Sequence, residues 1–245
     1  MNKWEFTDIH SHIIFGVDDG SESLETSLKL IEMEYMDGIR NIIATPHFGV
    51  RNPDYDPKLA DQNFKTLKEE VKKIHPDINL YQGNELYLAP GFADGLADKM
   101  SKTLNGTNYV LVEFPDEIDF DGIYHQMRKL LIDGYVPIFA HAERYLSAYR
   151  NIKGLKEIKR QGVLVQVNSN VIAGLPKKKH FLSRFDKFVK EMLEEDMVDF
   201  VATDIHDLPG RKPMMTDAMS TMIDIIGEEK TKKILIDNPK ELLNV

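Results

Sequence analysis

The chain has 245 residues, a formal net charge of −9 at neutral pH and no cysteine. This length allows one large domain, and the acidic balance argues against sequence-independent binding of nucleic acid. The lack of cysteine excludes disulfides, thiolate metal sites and any phosphatase or protease mechanism that uses a catalytic thiolate. The sequence shows no apolar run typical of a signal peptide and no segment long enough to span a bilayer, so a soluble cytoplasmic protein is predicted.

Seven short apolar runs predict buried strands. They begin near residues 5, 39, 78, 108, 135, 163 and 199 and are rich in Val, Ile, Tyr and Phe. Several are apolar almost throughout, which is typical of a parallel sheet covered on both faces. Because helical patterns separate the runs, we expect a single α/β domain over residues 1–245. Seven strands favour a distorted TIM-like (β/α)7 barrel over an open doubly wound sheet.

Two segments show clear helical spacing between predicted strands. The apolar positions that recur at this spacing are Leu24, Leu28, Ile31 and Tyr35 in the first, and Phe120, Ile123, Met127 and Leu131 in the second. Gly38, Gly134 and Gly162 each stand where a helix should end, since glycine adopts the left-handed cap conformation without steric cost. Residues 49–57 are predicted to form a loop.

Metal-ligand residue types recur at the ends of the predicted strands. They are Asp8, His10, His12, His47, Glu85, Glu113, His141, Asn168, Asp204 and His206. In α/β barrels this end of the strands carries the active site. Alternate residues of a strand point to the same side, so His10 and His12 can face one site. Asp18 and Asp19 follow in a loop flanked by glycine and can reach over the same end.

This residue set predicts a metal centre. Taken singly, each histidine or acid is more often a surface or structural residue, but so many buried charged groups need partners or metals. Imidazole and carboxylate without sulfur suit Mn²⁺, Fe²⁺, Co²⁺ or Zn²⁺. The candidates are too numerous for one ion, and multi-metal sites are suited to phosphoester hydrolysis. His75, His125 and His180 lie away from strand ends and are assigned to the solvated surface.

The motifs DIHSH, TPH, GNE, EF, HAERY and TDIH together resemble the PHP family, named for polymerase and histidinol phosphatase. The segments VDDGSES, LVEFP and TDIHDLPGR are similar to the bacterial manganese-dependent tyrosine-protein phosphatases of capsule and exopolysaccharide operons. The resemblance runs from residue 6 to the end. It implies a PHP-type barrel with two or three bound ions, Mn²⁺ first and Fe²⁺, Co²⁺ or Zn²⁺ as alternatives. The implied ligands are His10, His12, Asp19, His47, Glu85, Glu113, His141, Asp204 and His206.

The resemblance also implies that Arg144 and Arg211 bind the phosphate, a role that suits the planar guanidinium. Ala142 replaces the proline that the family usually has in HAERY, so we expect altered loop stiffness with the chemistry retained. Asp8 is interpreted as a group that orients a ligand imidazole. Asp18 is similar in character to Asp19, and the loop match favours Asp19 as the ligand.

Three functions fit these features. The first is a phosphatase that removes phosphate from tyrosine-phosphorylated proteins, with a cognate bacterial tyrosine autokinase as partner and direct attack by a metal-bound hydroxide. The second keeps the chemistry and takes histidinol phosphate or another small phosphomonoester, for which an enclosed pocket is expected. The third is a metal-binding scaffold without turnover. None of them involves nucleic acid or insertion in a membrane.

Overall fold

A computed structural model describes residues 4–89, 100–176, 182–207 and 212–244. The fold is α/β, and every pair of neighbouring strands is parallel. The strands are β1 Phe6–Ser11, β2 Ile39–Ala44, β3 His47–Gly49, β4 Asn79–Gln82, β5 Glu85–Tyr87, β6 Tyr109–Glu113, β7 Val136–Phe139, β8 Leu164–Asn168 and β9 Phe200–Ala202. All seven predicted strands are therefore present, and two of them are divided.

The division of the second and third predicted strands separates two sheets, ordered β1-β2-β4 and β3-β5-β6-β7-β8-β9. Pro46 lies in the first break, where it cannot donate a ladder hydrogen bond. Backbone hydrogen bonds nevertheless bridge the breaks, from Gly83 N to Ala44 O at 2.9 Å and from Glu85 N to Pro46 O at 3.2 Å. His47 and Glu85 consequently begin new strands rather than ending old ones, which corrects the predicted boundaries.

Helices flank the sheets. They are α1 Leu24–Met36, α2 Pro57–Ile74, α3 Phe120–Ile132, α4 Leu146–Arg150, α5 Ile152–Arg160, α6 Ser169–Ala173, α7 Arg184–Glu194, α8 Met215–Lys232 and α9 Asn238–Leu243. Both predicted helices are confirmed, and Gly38, Gly134 and Gly162 all have positive φ at helix ends. Short 3₁₀ turns cover Leu104–Gly106 and Ala142–Arg144, and a π-helical turn, Lys233–Asp237, joins α8 to α9.

The buried face of α1 differs from the predicted apolar stripe. Its fully buried positions are Ser27, Leu30, Ile31 and Glu34, whereas Tyr35 remains partly accessible. Two polar residues therefore lie on the face that packs inward. Hydrophobic periodicity could not find them, because it scores apolar residues only.

Two apolar clusters lie around the strands. The smaller one contains Ile9, Ile43, Leu111, Ile138 and Phe200 from five different strands, and residues of α9 complete it. The larger one lies between the strands and the surrounding helices. Both faces of the sheets are thus buried, as expected for parallel strands.

The last strand returns to the first. A parallel bridge joins Ser11 to Ile205, and His12 N donates to Ile205 O at 2.9 Å. This contact brings the end of β1 beside the segment that follows β9. Within the described ranges, no helix combines the length and the hydropathy that a membrane span requires.

Two of the three histidines assigned to the surface can be checked. His125 lies exposed on α3, as predicted. His75 is 14% exposed in its side chain, stacks on Tyr35 and contacts the exposed Glu32 at 2.6 Å, so it lies at the surface but is partly buried there. His180 lies outside the described residues.

Candidate metal centre

Glu85 lies at the centre of a buried histidine cluster. Its side chain is 0% exposed, and its Oε2 lies 3.2 Å from His10 Nε2 and 3.3 Å from His12 Nε2. The two Nε2 atoms are themselves 3.2 Å apart. When the Nδ1 atoms of both rings carry the protons, both Nε2 atoms present lone pairs, and a proton or a cation between them is then needed at this distance.

His47 and His141 approach the same carboxylate from other strands. His47 Nδ1 is 2.9 Å from both Glu85 Oε2 and Glu113 Oε1, and His141 Nε2 is 2.9 Å from Glu85 Oε1. Despite these distances, no hydrogen bond within the described part of the chain reaches His47 Nδ1, Glu85 Oε2 or Glu113 Oε1. Buried polar atoms are normally paired, so close donor atoms without hydrogen-bond geometry indicate a space prepared for another group.

Asp204, His206 and Asp19 form the outer part of the cluster. Asp204 Oδ1 lies 3.4 Å from His10 Nε2 and 3.3 Å from His206 Nδ1. The His206 ring stacks on that of His12 at 3.8 Å between centroids. Asp19, with a side chain 59% exposed, brings Oδ1 to 3.3 Å from His47 Nε2. The cluster therefore opens to solvent on the side of Asp19.

The donor atoms fit metal ions. They form four groups whose atoms lie within 4.8 Å of one another, and several residues belong to more than one group. Shared donors suit ions that are bridged by common ligands, and the absence of sulfur suits Mn²⁺, Fe²⁺, Co²⁺ or Zn²⁺. The groups are His12–Asp19–His47–His206, His10–His141–Asp204, His10–His12–Glu85 and His47–Glu85–Glu113. Each of the nine predicted ligands appears in at least one of them.

The carboxylates govern the protonation of the imidazoles. Burial lowers the pKa of His47, but the carboxylates of Asp19, Glu113 and Glu85 outweigh it and raise this pKa to about 12. His206 shows the reverse: burial and the nearby His12 lower its pKa to about 3. Burial opposes ionisation of Glu85, yet the histidines around it hold its pKa well below the ordinary value. The cluster thus retains anionic ligands that attract cations, and metal binding must displace protons from the imidazoles.

A second set of polar groups orients the imidazoles. Gln166 Oε1 lies 3.1 Å from His10 Nδ1, and Asp18 Oδ2 lies 2.7 Å from His12 Nδ1. Each contact engages Nδ1 and leaves Nε2 for the cluster, as the outer partners of metal-bound histidines usually do. Asp8 was predicted to orient an imidazole, and its contacts differ. It accepts hydrogen bonds from the backbone N–H groups of His10 and Thr203, at 3.2 and 3.0 Å.

Two candidate ligands have left-handed backbone conformations. His141 has φ 33° and Asp204 has φ 53°. A non-glycine residue in this region costs about 1–2 kcal/mol and persists where the surroundings determine it. Here Gln166 Oε1 accepts from His141 N at 2.8 Å, and His10 O accepts from Asp204 N at 2.9 Å. The strain therefore coincides with the positions that aim side chains into the cluster.

Of the two predicted phosphate-binding arginines, the structure describes one. Arg144, 34% exposed in its side chain, donates from Nη2 to Asp204 Oδ2 at the edge of the cluster. Arg211 lies outside the described residues. Ala142, which replaces the family's proline, is fully buried in the 3₁₀ turn between His141 and Arg144. Gly20 is needed beside the cluster, because a Cβ there would lie 2.5 Å from His12 Cβ.

Sequence reasoning missed two residues at this site. Gln166 lies at 0% exposure and joins His10 to His141, but a neutral amide inside an apolar strand has no metal-ligand signature. Arg51 donates to Glu113 Oε2 at 2.8 Å from the loop that follows β3. Its position in a loop between strands that carry ligands was the one available signal.

The comparisons with known proteins agree with this geometry. The family model for capsular polysaccharide synthesis, CpsB/CapC, matches residues 6–244. The tyrosine-protein phosphatase CpsB of Streptococcus agalactiae serotype III (strain NEM316) is 35% identical over 96% of this chain and 97% of its own length. The tyrosine-protein phosphatase YwqE of Bacillus subtilis (strain 168) is 30% identical over 96% of this chain and 91% of its own.

A solved structure gives the same result for the fold. It comes from work on YwqE of Bacillus subtilis and CpsB of Streptococcus pneumoniae, described as unique metal-dependent tyrosine phosphatases. It superposes with a TM-score of 0.86 at 28% identity and covers 97% of this chain and 94% of its own. With a family model over nearly its whole length and relatives above 30% identity, this chain belongs to the CpsB/CapC family of capsular polysaccharide synthesis.

Proposed function

We propose that this chain is a metal-dependent protein-tyrosine phosphatase. The observation that carries the proposal is the convergence of histidine and carboxylate donors on Glu85, with buried donor atoms that lack hydrogen bonds from the described residues. Relatives that match nearly the whole chain are tyrosine-protein phosphatases. The proposed centre holds two or three ions. Mn²⁺ is the preferred ion, and Fe²⁺, Co²⁺ and Zn²⁺ are also compatible with the ligands.

The proposed ligands are the nine residues predicted from the sequence. They are His10, His12, Asp19, His47, Glu85, Glu113, His141, Asp204 and His206. When bound, the ions supply an activated water and stabilise the negative charge that develops on the phosphoryl oxygens. The remaining steps concern the side chains of the protein itself.

The outer groups prepare the ligands. Gln166 and Asp18 engage the Nδ1 atoms of His10 and His12, so that both rings keep their orientation and present Nε2. Arg144 lies at the edge of the cluster with part of its guanidinium in solvent. In this proposal Arg144 and Arg211 bind the equatorial phosphoryl oxygens and offset the charge of the transition state.

The same proposal covers the architecture. Strand order β1-β2-β4 and β3-β5-β6-β7-β8-β9, the bridges across the breaks and the contact of β1 with the end of β9 support a distorted TIM-like (β/α)7 barrel. The apolar cluster of Ile9, Ile43, Leu111, Ile138 and Phe200 would then fill its interior. We interpret residues 1–245 as one such domain. A cytoplasmic location stays a prediction.

A protein substrate is favoured over histidinol phosphate. Asp19 is 59% exposed, and Arg144 and Arg51 are also partly exposed at the edge of the cluster. An accessible edge suits a phosphotyrosine carried by a protein, and the proposed partner is a bacterial tyrosine autokinase. The complete set of ligand groups argues against a scaffold without turnover.

The test is a side-by-side turnover assay on a phosphotyrosine peptide and on histidinol phosphate, with Mn²⁺ added. We expect a higher kcat/KM for the peptide, loss of activity with excess chelator and recovery when Mn²⁺ is restored. Iodoacetamide is the control and should have no effect, because the chain has no cysteine to alkylate. Full activity after prolonged chelation would refute the metal centre, and turnover of histidinol phosphate alone would refute the protein substrate.

A further inference from the structure

A cavity of about 380 Å³ lies directly beside the candidate metal centre. Its lining residues are Val50, Arg51, Tyr87, Phe114, Asp116 and Glu117. Tyr87 is the strand partner of the candidate ligand Glu113, and Phe114 follows Glu113 in the chain. The wall of the cavity is therefore continuous with the metal centre. Its volume lies near the lower end of the range for ligand sites, which suits a side chain and its neighbours.

Arg51 stands between the cavity and the metal centre. Its Nη1 donates to Glu113 Oε2 at 2.8 Å, its Nη2 lies 3.7 Å from Asp19 Oδ2, and 40% of the side chain is exposed. A guanidinium has five N–H donors. The contacts with Glu113 and Asp19 use only some of these donors. The exposed remainder can meet an anionic group bound at the metal centre, for which arginine geometry is well suited.

Aromatic and apolar side chains line the cavity as well. Tyr87 is half-buried, and Val50 is an exposed apolar residue of the loop after β3. An isolated exposed valine has no significance by itself. Beside a half-buried tyrosine and a guanidinium, however, it forms a surface that a planar ring can cover.

Two acidic side chains also line the cavity. Asp116 and Glu117 are exposed and line the same cavity as Arg51 and Tyr87. The lining thus combines the guanidinium that contacts Glu113 with two exposed carboxylates. A phosphotyrosine beside a basic residue carries the complementary charges, whereas an acidic neighbour would be repelled.

We propose that this cavity binds the tyrosyl ring of the substrate and its flanking residue, and that it selects phosphotyrosine peptides with lysine or arginine beside the phosphotyrosine. Arg51 contacts the phosphorylated end of the ring, Tyr87 and Val50 cover its face, and Asp116 and Glu117 attract the basic neighbour. The inference rests on the proposed phosphatase function and adds its substrate class.

The first experiment compares three peptides that differ only in the residues flanking phosphotyrosine: lysine, alanine or glutamate. With the Mn²⁺-loaded protein at low salt, we expect kcat/KM to be about fivefold higher for the lysine peptide than for the glutamate peptide. The difference should shrink with added salt, which screens exposed charges. In the double variant Asp116→Asn/Glu117→Gln, the preference should disappear.

The matched control is Glu228→Gln/Glu229→Gln, another adjacent pair of exposed acids, which lies on α8. This variant should keep the preference for lysine. Equal kcat/KM for all three peptides in the wild type would overturn the inference and leave the phosphatase function standing. So would a preference that survives in the Asp116/Glu117 variant. Turnover of histidinol phosphate with no turnover of any peptide would overturn the proposed function, and this inference with it.

The second experiment measures binding without turnover. A fluorescent peptide that carries phosphonomethyl-phenylalanine is titrated with Mn²⁺-loaded protein, and metal content is measured in parallel. Arg51→Ala should weaken binding about tenfold, the loss of one charge-assisted hydrogen bond, with metal content unchanged. Arg51→Lys should be intermediate, because an ammonium lacks the planar fork. Unchanged binding in Arg51→Ala, or loss of metal together with binding, would overturn the contact assigned to Arg51.

Discussion

Glu85 and Glu34 are both completely buried glutamates, and their pKa values are displaced in opposite directions. Burial raises the pKa of Glu34, and the neighbouring Asp8 carboxylate raises it further, well above the ordinary value of 4.5. Burial also opposes ionisation of Glu85, but His10, His12 and His141 outweigh it and hold the pKa well below 4.5.

The two glutamates are equally buried, so the opposite shifts of their pKa values come from the neighbouring groups. Glu85 is surrounded by imidazoles, whereas Asp8 and the Thr203 hydroxyl are neighbours of Glu34 among the described residues. Glu85 therefore stays an anion that can bind metal. Burial and the Asp8 carboxylate instead favour the protonated form of Glu34. Both clusters include a residue of β1, since His10 belongs to one and Asp8 to the other.

The largest expected effect comes from removing the charge of Glu85. Glu85→Gln keeps the shape but deletes the anion that four histidines share. We expect metal content to fall, and kcat/KM on a phosphotyrosine peptide to fall by roughly three orders of magnitude or more, since electrostatic stabilisation by the site is lost. Elemental analysis and steady-state kinetics measure the two effects.

Glu34→Gln is the matched control, because it makes the same change at the same depth. It should retain both metal and turnover, since burial and Asp8 already favour the neutral form of the carboxyl group that it replaces. A Glu85→Gln variant that keeps its full metal content would show that Glu85 is not a ligand. Loss of metal in Glu34→Gln would show that the two clusters do not differ as described.

A smaller effect is expected at the edge of the cluster. Arg144→Ala removes the guanidinium that donates to Asp204, and a protonated guanidinium cannot bind a metal. We expect unchanged metal content and a loss of roughly two to three orders of magnitude in turnover, the usual effect of deleting an electrostatic stabiliser. Arg150→Ala, at an exposed position on α4, is the control and should behave as wild type. Wild-type kcat/KM in Arg144→Ala would refute the phosphate-binding role.

The metal centre was more predictable from the sequence than its surroundings. His10 lies near the end of β1, and His12, His141 and Asp204 come within two residues after a strand. Parallel strands bring such positions to one edge. The breaks before His47 and Glu85 were missed although Pro46 and Gly83 precede them, because a single proline or glycine is also compatible with a bulge or the edge of a continuing strand. A local pattern does not show where a ladder of hydrogen bonds is interrupted.

The polar partners beneath the centre were missed for another reason. Glu34 lies on the buried face of a helix for which an apolar stripe was predicted. Its partner Thr203 is 169 residues away in the chain. Gln166 likewise contacts His10, which is 156 residues away in the chain. Such contacts depend on the tertiary arrangement, which periodicity within one element does not describe.

The smallest expected effect is the pH dependence contributed by Glu34. Its pKa in the folded protein lies above its unfolded value, so the native state binds a proton that the unfolded chain has released. The stability from Glu34 is complete below the unfolded pKa and is lost as pH rises toward the folded pKa. Glu34→Gln removes this titration. The free energy of unfolding of the variant, minus that of the wild type, should therefore increase as pH rises. The slope is at most about 1.4 kcal/mol per pH unit for one proton.

Urea unfolding of both proteins in excess chelator, from about pH 5 to about pH 8, measures the difference. Glu69→Gln, an exposed position on α2, should run parallel to the wild type. If Glu34→Gln also runs parallel, Glu34 carries no extra proton in the folded state, and its contrast with Glu85 would disappear.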